Sequence, residues 1–246
     1  MKILAFNSSP RKGKGATDVV LDAFLDGARD AGAEIEKIYL HDKKIKRCAG
    51  CFTCWVKTPG RCLHRDDMDK ILPKMVAADI IVFATPLYHF TMSSSMKTFI
   101  ERTLPLGQPF LRKKGHLTEH PMRYPECNAK WVVVSVAGFP EIDHFEALDR
   151  TFEMIAKNYH TWIAGRIYRP MSGMLYEANH RRFMKDYLDT CYRAGQEVVG
   201  KGKIGIITQK KLLKAFIIPK FIYRWAANRK WKREIEKSGC KNNPNS

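Results

Sequence analysis

Residues 46–68, KRCAGCFTCWVKTPGRCLHRDDM, place four of the chain's seven cysteines within fifteen positions. Cys48, Cys51, Cys54 and Cys62 follow the pattern C-x2-C-x2-C-x7-C. Thiolates this close together can hold a cubane [4Fe–4S] cluster, in which each iron takes one cysteine and the short loops fold around it. They can bind zinc, although ordinary ribbons space two CxxC pairs farther apart. A pair can also cycle between dithiol and disulfide. Small buried thiols in a loop that packs on a neighbouring subunit explain the same clustering with no metal. The spacing leaves all four alternatives open. Cys127, Cys191 and Cys240 are scattered and read as inert, and the eight histidines show no metal-type pairing.

A second stretch, SSPRKGKGAT at 8–17, follows an apolar run and opens a helical one. It offers hydroxyls at Ser8, Ser9 and Thr17, a guanidinium at Arg11, and glycines that let backbone N–H groups turn toward one anion. Such donors at a helix N-terminus make a phosphate site. Neither the GxGxxG spacing nor a Gly-Lys-Ser/Thr run is present. A third stretch, ATPLYHFTMSSSMK, carries Pro86, Tyr88 and Phe90 without bulky charge, which suits the flat face and polar edge of a planar ring. SVAGFPE adds small residues and Gly138, where a ligand can approach the backbone closely.

The elements that must position these loops are legible from periodicity. KILAFN reads as a strand, and Val19, Val20, Ala23, Phe24 and Ala28 then recur at helical spacing until Gly32. EIEKIYL reads as a second strand; Asp66 or Asp67 is expected to cap a helix at MDKILPKMVAA. DIIVFATPLY is too apolar for a one-sided sheet and reads as a central parallel strand. A helix at SSSMKTFIERTL, an irregular excursion from Pro105 to Asn128, a strand KWVVVSVAG, a helix HFEALDRTFEMIAKNY and a strand HTWIAGRIYRP complete the alternation. Five strands alternating with helices predict a doubly wound parallel sheet, with ligands beyond the carboxyl ends of its strands, at loops 8–17, 85–91 and 135–141. The expected organisation is one domain over 1–200 and a basic extension over 201–246.

In that extension, after a helix around 180–200, Leu212, Leu213, Phe216 and Ile217 share one face, and beyond Pro219 so do Phe221, Ile222 and Trp225. Such a face docks on the domain or on a second subunit, the reading taken here, or lies peripherally on an anionic membrane. The net charge of +18 calls for anionic partners. No zinc-finger pairing or aromatic RNA motif is evident, so nucleic acid is not expected. The first apolar run is too short for a signal segment, no stretch of about eighteen apolar residues occurs, and the clustered, odd-numbered cysteines do not suggest a secreted disulfide framework. A cytoplasmic location is the expectation.

NSSPRKGKGAT, CAGCFTCW, GRCLHRDDM, ADIIVFATPLYHFTMSSSMKTFIER and YRAGQEVV, taken in order, resemble the flavodoxin-like NAD(P)H-dependent FMN oxidoreductases, and within them the branch that includes the iron-sulfur flavoproteins. The resemblance covers most of 1–200. It implies a flavodoxin-like sheet with FMN at its switch point. By motif position Ser9, Arg11 and Thr17 would hold the phosphate, and Pro86, Leu87, Tyr88, His89 and Phe90 would border the isoalloxazine. It further implies NAD(P)H as electron donor; a quinone, another flavin, an iron-sulfur centre or a protein partner as acceptor; and a homodimer or higher oligomer. Some members with a similar cysteine loop carry the cluster, and others with Trp after the third cysteine, as Trp55 stands here, are plain flavoproteins. Two positions depart from the pattern: Ser8 stands where the family usually has Gly, and Ala16 where it usually has Asn. The second removes a side-chain amide from the phosphate site, a loss on the order of 1 kcal/mol. Hydride transfer itself requires no general acid or base, and no catalytic residue is assigned.

Overall fold

The apolar runs become strands because each is flanked on both sides by helices that need its side chains. In the computed structural model, which describes residues 1–175, 184–214 and 218–239, β1 (Lys2–Asn7), β2 (Glu34–Tyr39) and β3 (Ile80–Pro86) precede a small hairpin, β4 (Arg112–Lys114) and β5 (Leu117–Glu119). β6 (Lys130–Val136) and β7 (Ile163–Arg169) complete a five-stranded parallel sheet of order β2-β1-β3-β6-β7. Leaving out the hairpin, this is the 2-1-3-4-5 order of a flavodoxin-like sheet. The hairpin lies in the excursion that the sequence reading left without structure. Its strands are three residues each, too short for a period to declare itself.

Successive strand residues face opposite layers, as the pleat requires. Ile3, Ala5, Val82, Ala84, Val132 and Val134 face α1 (Ala16–Asp30) and a helix at Lys185–Lys201. Leu4, Phe6, Ile81, Phe83, Trp131 and Val133 face helices at Met68–Val76, Ser94–Glu101 and Glu146–Asn158. In chain order the helices are α1, α2 (Thr53–Val56), α3 (Met68–Val76), α4 (Ser94–Glu101), α5 (Glu146–Asn158), α6 (Lys185–Lys201), α7 (Ile206–Leu212) and α8 (Lys220–Lys237), counting those described. Gly32, at φ +90°, ends the turn after α1.

The crossing of α1 and α6 is set by two glycines. A Cβ on Gly27 would stand 1.9 Å from the Tyr192 carbonyl oxygen, and one on Gly195 would stand 2.0 Å from that of Phe24. The two backbones therefore touch, and no side chain can come between them.

The extension divides in two. Thr208 and Leu212 of α7 are buried, Glu197 accepts from the Gly205 amide (2.8 Å) and the Thr208 hydroxyl (2.9 Å), and Gln209 pairs with both backbone groups of Arg166 on the edge strand β7. α8 has no buried residue, and Phe221, Ile222 and Trp225 are exposed, so the second half of the face expected to dock on the domain or on a second subunit is not covered by this chain's own domain. Phe216, Ile217, His180 and Cys240 lie outside the described residues. No described helix is long and apolar enough to cross a membrane.

Because the obstacle at the helix crossing is main chain, Gly195→Ala is expected to cost more than 3 kcal/mol, the range of severe core overpacking. Urea denaturation checks this; a loss under 1 kcal/mol would mean that the helices part freely.

Candidate functional site

The loop after β1 turns back through a short 3-10 segment at Lys12–Lys14 before Gly15 starts α1. No side chain caps the first turn of α1. Its orphan N–H groups and the positive end of the helix dipole remain available to an anion. Ser9, Arg11 and Thr17 are gathered at this turn: Ser9 Oγ accepts from the Arg11 amide (3.3 Å), and Thr17 lies in the first turn of α1. Gly15 is required by close approach, since a Cβ there would meet Ser9 Oγ at 2.7 Å and the Lys12 carbonyl oxygen at 3.3 Å.

Beneath the turn is a polar network that sequence reading missed. Asp18, buried, accepts from Asn7 Nδ2 (2.8 Å), the Tyr39 hydroxyl (2.9 Å) and Lys37 Nζ (3.2 Å). Thus oriented, the Asn7 amide accepts the Ser9 N–H through Oδ1 (2.8 Å). Lys37 is held well above its ordinary pKa: burial alone would lower it, but Asp22, Tyr39 and Asp18 outweigh burial. On the other side Ser8 is buried, its hydroxyl taking a hydrogen bond from Ser93 (2.8 Å) and donating to the Ala84 carbonyl (3.3 Å). The Ser8 carbonyl lies within reach of His41 Nε2 (3.2 Å) and accepts from Ser95 Oγ (3.3 Å). Ser93 also caps α4. Apart from the local Asn7–Ser9 contact and the Ser93 cap, these partners lie 11 to 87 positions apart, and only the fold unites them.

The β3 loop projects beside this turn. Pro86 is buried at the strand end, and the Leu87 amide bonds the Val136 carbonyl (2.9 Å), tying the loop to β6. Tyr88 and Thr91 exchange backbone hydrogen bonds of 2.9 and 3.0 Å around His89 (φ +47°) and Phe90 (φ +62°). Two positive φ values make this a type I′ turn, normally filled by Asn-Gly. Filling it with His-Phe holds a bulky residue in the left-handed region, a strain of the kind that accompanies functional loops. Phe90 and Phe139 are nearly parallel (6°, centroids 6.3 Å apart), with His144 at 5.4 and 4.8 Å from them. Tyr88, His89 and Phe90 are exposed, and space is open where a Cβ on Gly138 would stand. The structure thus sets an uncapped helix N-terminus and an aromatic, sterically open lip along one sheet edge.

The cysteines lie on the 46–66 segment, which is fastened to α4 by a buried ion pair. Arg102 donates to both Asp66 oxygens (2.7 and 3.0 Å) and to the Lys46 carbonyl (2.7 Å), and both side chains are nearly inaccessible. Asp66 also accepts from the Met68 amide (3.2 Å), so it serves the start of α3 as well as Arg102. Asp67 stands at the cap position but makes no capping hydrogen bond; its carboxylate accepts from the Lys44 amide at 2.7 Å. Burial pushes the Cys54 thiol up, and charge on Cys62, Cys48 and Cys51 adds to this. Exposed Cys51 is lowered by hydrogen bonds from Thr53. Among the described residues, no group of three or more His, Cys, Asp or Glu side chains is arranged to hold a metal ion. The donor chemistry suits a metal; the arrangement of the thiols does not.

Residues 1–167 match the family model described as NADPH-dependent FMN reductase. The chain is similar to an iron-sulfur flavoprotein of Archaeoglobus fulgidus, 41% identical over 115 residues that make up 46% of this chain and 51% of that protein. It is similar also to an iron-sulfur flavoprotein of Methanosarcina thermophila, 32% identical over 115 residues covering 47% and 56% of the two chains. The chain spans about half the length of these curated relatives. Its fold is that of the NAD(P)H:quinone oxidoreductase from Methanothermobacter marburgensis, with a TM-score of 0.61 at 16% identity over 80% of this chain and 96% of that one.

The Asp66–Arg102 pair yields an acid-sensitivity prediction. Burial alone would raise the Asp66 carboxyl, but hydrogen bonds from Arg102 and from the Lys46 and Met68 amides hold it below the usual carboxylate range. A carboxyl lowered by folding stabilises the protein above its unfolded pKa, near 3.9, and that stabilisation is lost as pH falls through the folded value. Asp66→Asn is expected to cost about 3–5 kcal/mol at neutral pH, because it strands the guanidinium. It should also flatten the fall in stability below about pH 4, measured by urea denaturation across pH; an unchanged acid limb would contradict the assignment.

Proposed function

The chain belongs to the NADPH-dependent FMN reductase family, and from that premise we propose that it is a flavin-dependent oxidoreductase that holds FMN along the carboxyl edge of its sheet, takes reducing equivalents from NADH or NADPH, and passes them to a quinone, another flavin or an iron-sulfur acceptor. The observation that carries the reading is the uncapped start of α1, with Ser9, Arg11 and Thr17 around it, set beside the open lip of 86–90 and Gly138. When bound, FMN supplies the hydride-accepting and electron-releasing chemistry.

The chain's own residues bind and orient. Ser9, Arg11, Thr17 and the first N–H groups of α1 hold the phosphate; Asn7 and Asp18 keep Ser9 in place; Pro86, Leu87, Tyr88, His89 and Phe90 border the ring; Gly138 leaves it room. The positive surface draws the anionic nicotinamide nucleotide toward this edge. A homodimer or higher oligomer is part of the same proposal.

The C-x2-C-x2-C-x7-C spacing of Cys48, Cys51, Cys54 and Cys62, together with relatives described as iron-sulfur flavoproteins, favours a second reading, an iron-sulfur flavoprotein that carries single electrons to a protein partner. Iron and acid-labile sulfide determined on protein prepared without oxygen separate the two. About four of each per chain supports the carrier; none supports the plain flavin reductase.

The enzyme reading predicts saturable FMN binding, followed by quenching of flavin fluorescence, and prompt bleaching of the bound flavin on anaerobic mixing with NADPH or NADH. Arg11→Ala, which removes one charge-assisted contact, should weaken FMN about tenfold. Gly15→Ala, which drives the Ser9 hydroxyl off the turn, should do the same while the fold is retained. Absence of saturable binding by the unaltered protein would overturn the reading.

A further inference from the structure

We propose that α8 is a docking helix for anionic lipid bilayers, which lays the carboxyl edge of the sheet against the membrane surface. The helix is fastened at that edge by its first two turns. The Tyr223 hydroxyl donates to the Gly138 carbonyl (2.7 Å), and Glu141 faces Arg224 (3.5 Å) and Lys220 (3.9 Å). Gly138 and Glu141 belong to the same β6 loop as Phe139, so α8 is bound to the loop that lines the candidate site.

Tyr223 and Ala227, four residues apart, are the partly covered side chains of the first half of the helix. On an α-helix the opposite side is taken by Phe221, Trp225, Arg229 and Lys232, with Ile222 at its margin. Phe221 is 67% exposed, Ile222 43% and Trp225 62%. The Arg229 guanidinium lies over the Trp225 ring, 5.3 Å from its centroid. Large apolar side chains on the side facing away from the protein have a reason to be there only if something else covers them.

Charge selects the occupant. The helix carries seven Lys or Arg against Glu234 and Glu236, on a chain of net charge +18. A second copy presenting the same face would be repelled. Phosphate groups alone would satisfy the cations, as in nucleic acid, but would leave aliphatic Ile222 beside Phe221 and Trp225 still in water. An anionic bilayer answers both demands: acyl chains take the apolar side chains, and headgroups take the Lys and Arg around them. An 18-residue helix, about 27 Å long, lies in the plane of the interface and does not cross it.

The test uses the full chain and flotation with vesicles of phosphatidylcholine plus phosphatidylglycerol, against vesicles of phosphatidylcholine alone. Binding is expected on the anionic vesicles only and should weaken as salt is raised. The pair Phe221→Ser with Trp225→Ser, and separately Arg229→Glu with Lys232→Glu, should each lower partitioning at least about tenfold. Both variants should melt like the parent, since these side chains cover no core. Equal binding to both vesicle types, binding to neither, capture of duplex DNA in place of vesicles, or indifference to both variants would overturn the proposal. The readout is independent of flavin, so failure here and failure of the reductase reading are told apart.

Discussion

Strand β3 has no exposed side chain, and the need to cover both of its faces governs how the rest of the chain is arranged. A parallel sheet buried on both sides must be linked by crossover helices, and every βα loop then leaves from the same edge. That edge receives the 8–15 turn, the 86–91 turn and the 137–141 loop in neighbouring positions, because β1, β3 and β6 are neighbours in the sheet. The close contact of α1 with α6 at Gly27 and Gly195 serves the same requirement. With the helices touching backbone to backbone, one layer covers the Ile3–Ala5–Val82–Val132 face.

Electrostatics at this edge are layered. The helix start and Arg11 favour an anion outside the turn, while buried Asp18 beneath it is matched by Lys37, Tyr39 and Asn7. The carboxylate is thus occupied from below and serves the turn by fixing Asn7, whose amide in turn fixes the Ser9 N–H. Arg102 and Asp66 do comparable work for the cysteine segment, fastening it to α4 by a pair almost closed to water. In both places a buried ionic group specifies the shape of a loop, which side-chain packing alone would leave looser.

How much of this could be read beforehand follows from distance along the chain. The strands of the main sheet and the helices between them announced themselves by period and apolar runs, and Ser9, Arg11 and Thr17 stand close together in sequence, on the turn and the helix start that follow β1. Asp18 gave no signal, because an acidic residue in the first turn of a helix is ordinary there and its partners Tyr39 and Lys37 belong to another strand. Asp66 reads locally as a helix cap, and only the arrival of Arg102 from 36 positions away reveals the ion pair. Gly27 and Gly195 look like weak points of two helices until the helices cross. The tail misleads in a different way, since one continuous apolar pattern serves two surroundings: Leu212 enters the core, whereas Phe221 and Trp225 stay outside.

The central claim is that one edge of the sheet holds FMN, phosphate on the start of α1 and ring against the 86–90 turn. Hydrogen–deuterium exchange of the same protein with and without FMN tests it most directly. The account predicts added protection of the amides at 9–17, 87–91 and 137–139, with the opposite sheet edge unchanged. Tight FMN binding with protection confined to other segments would contradict it.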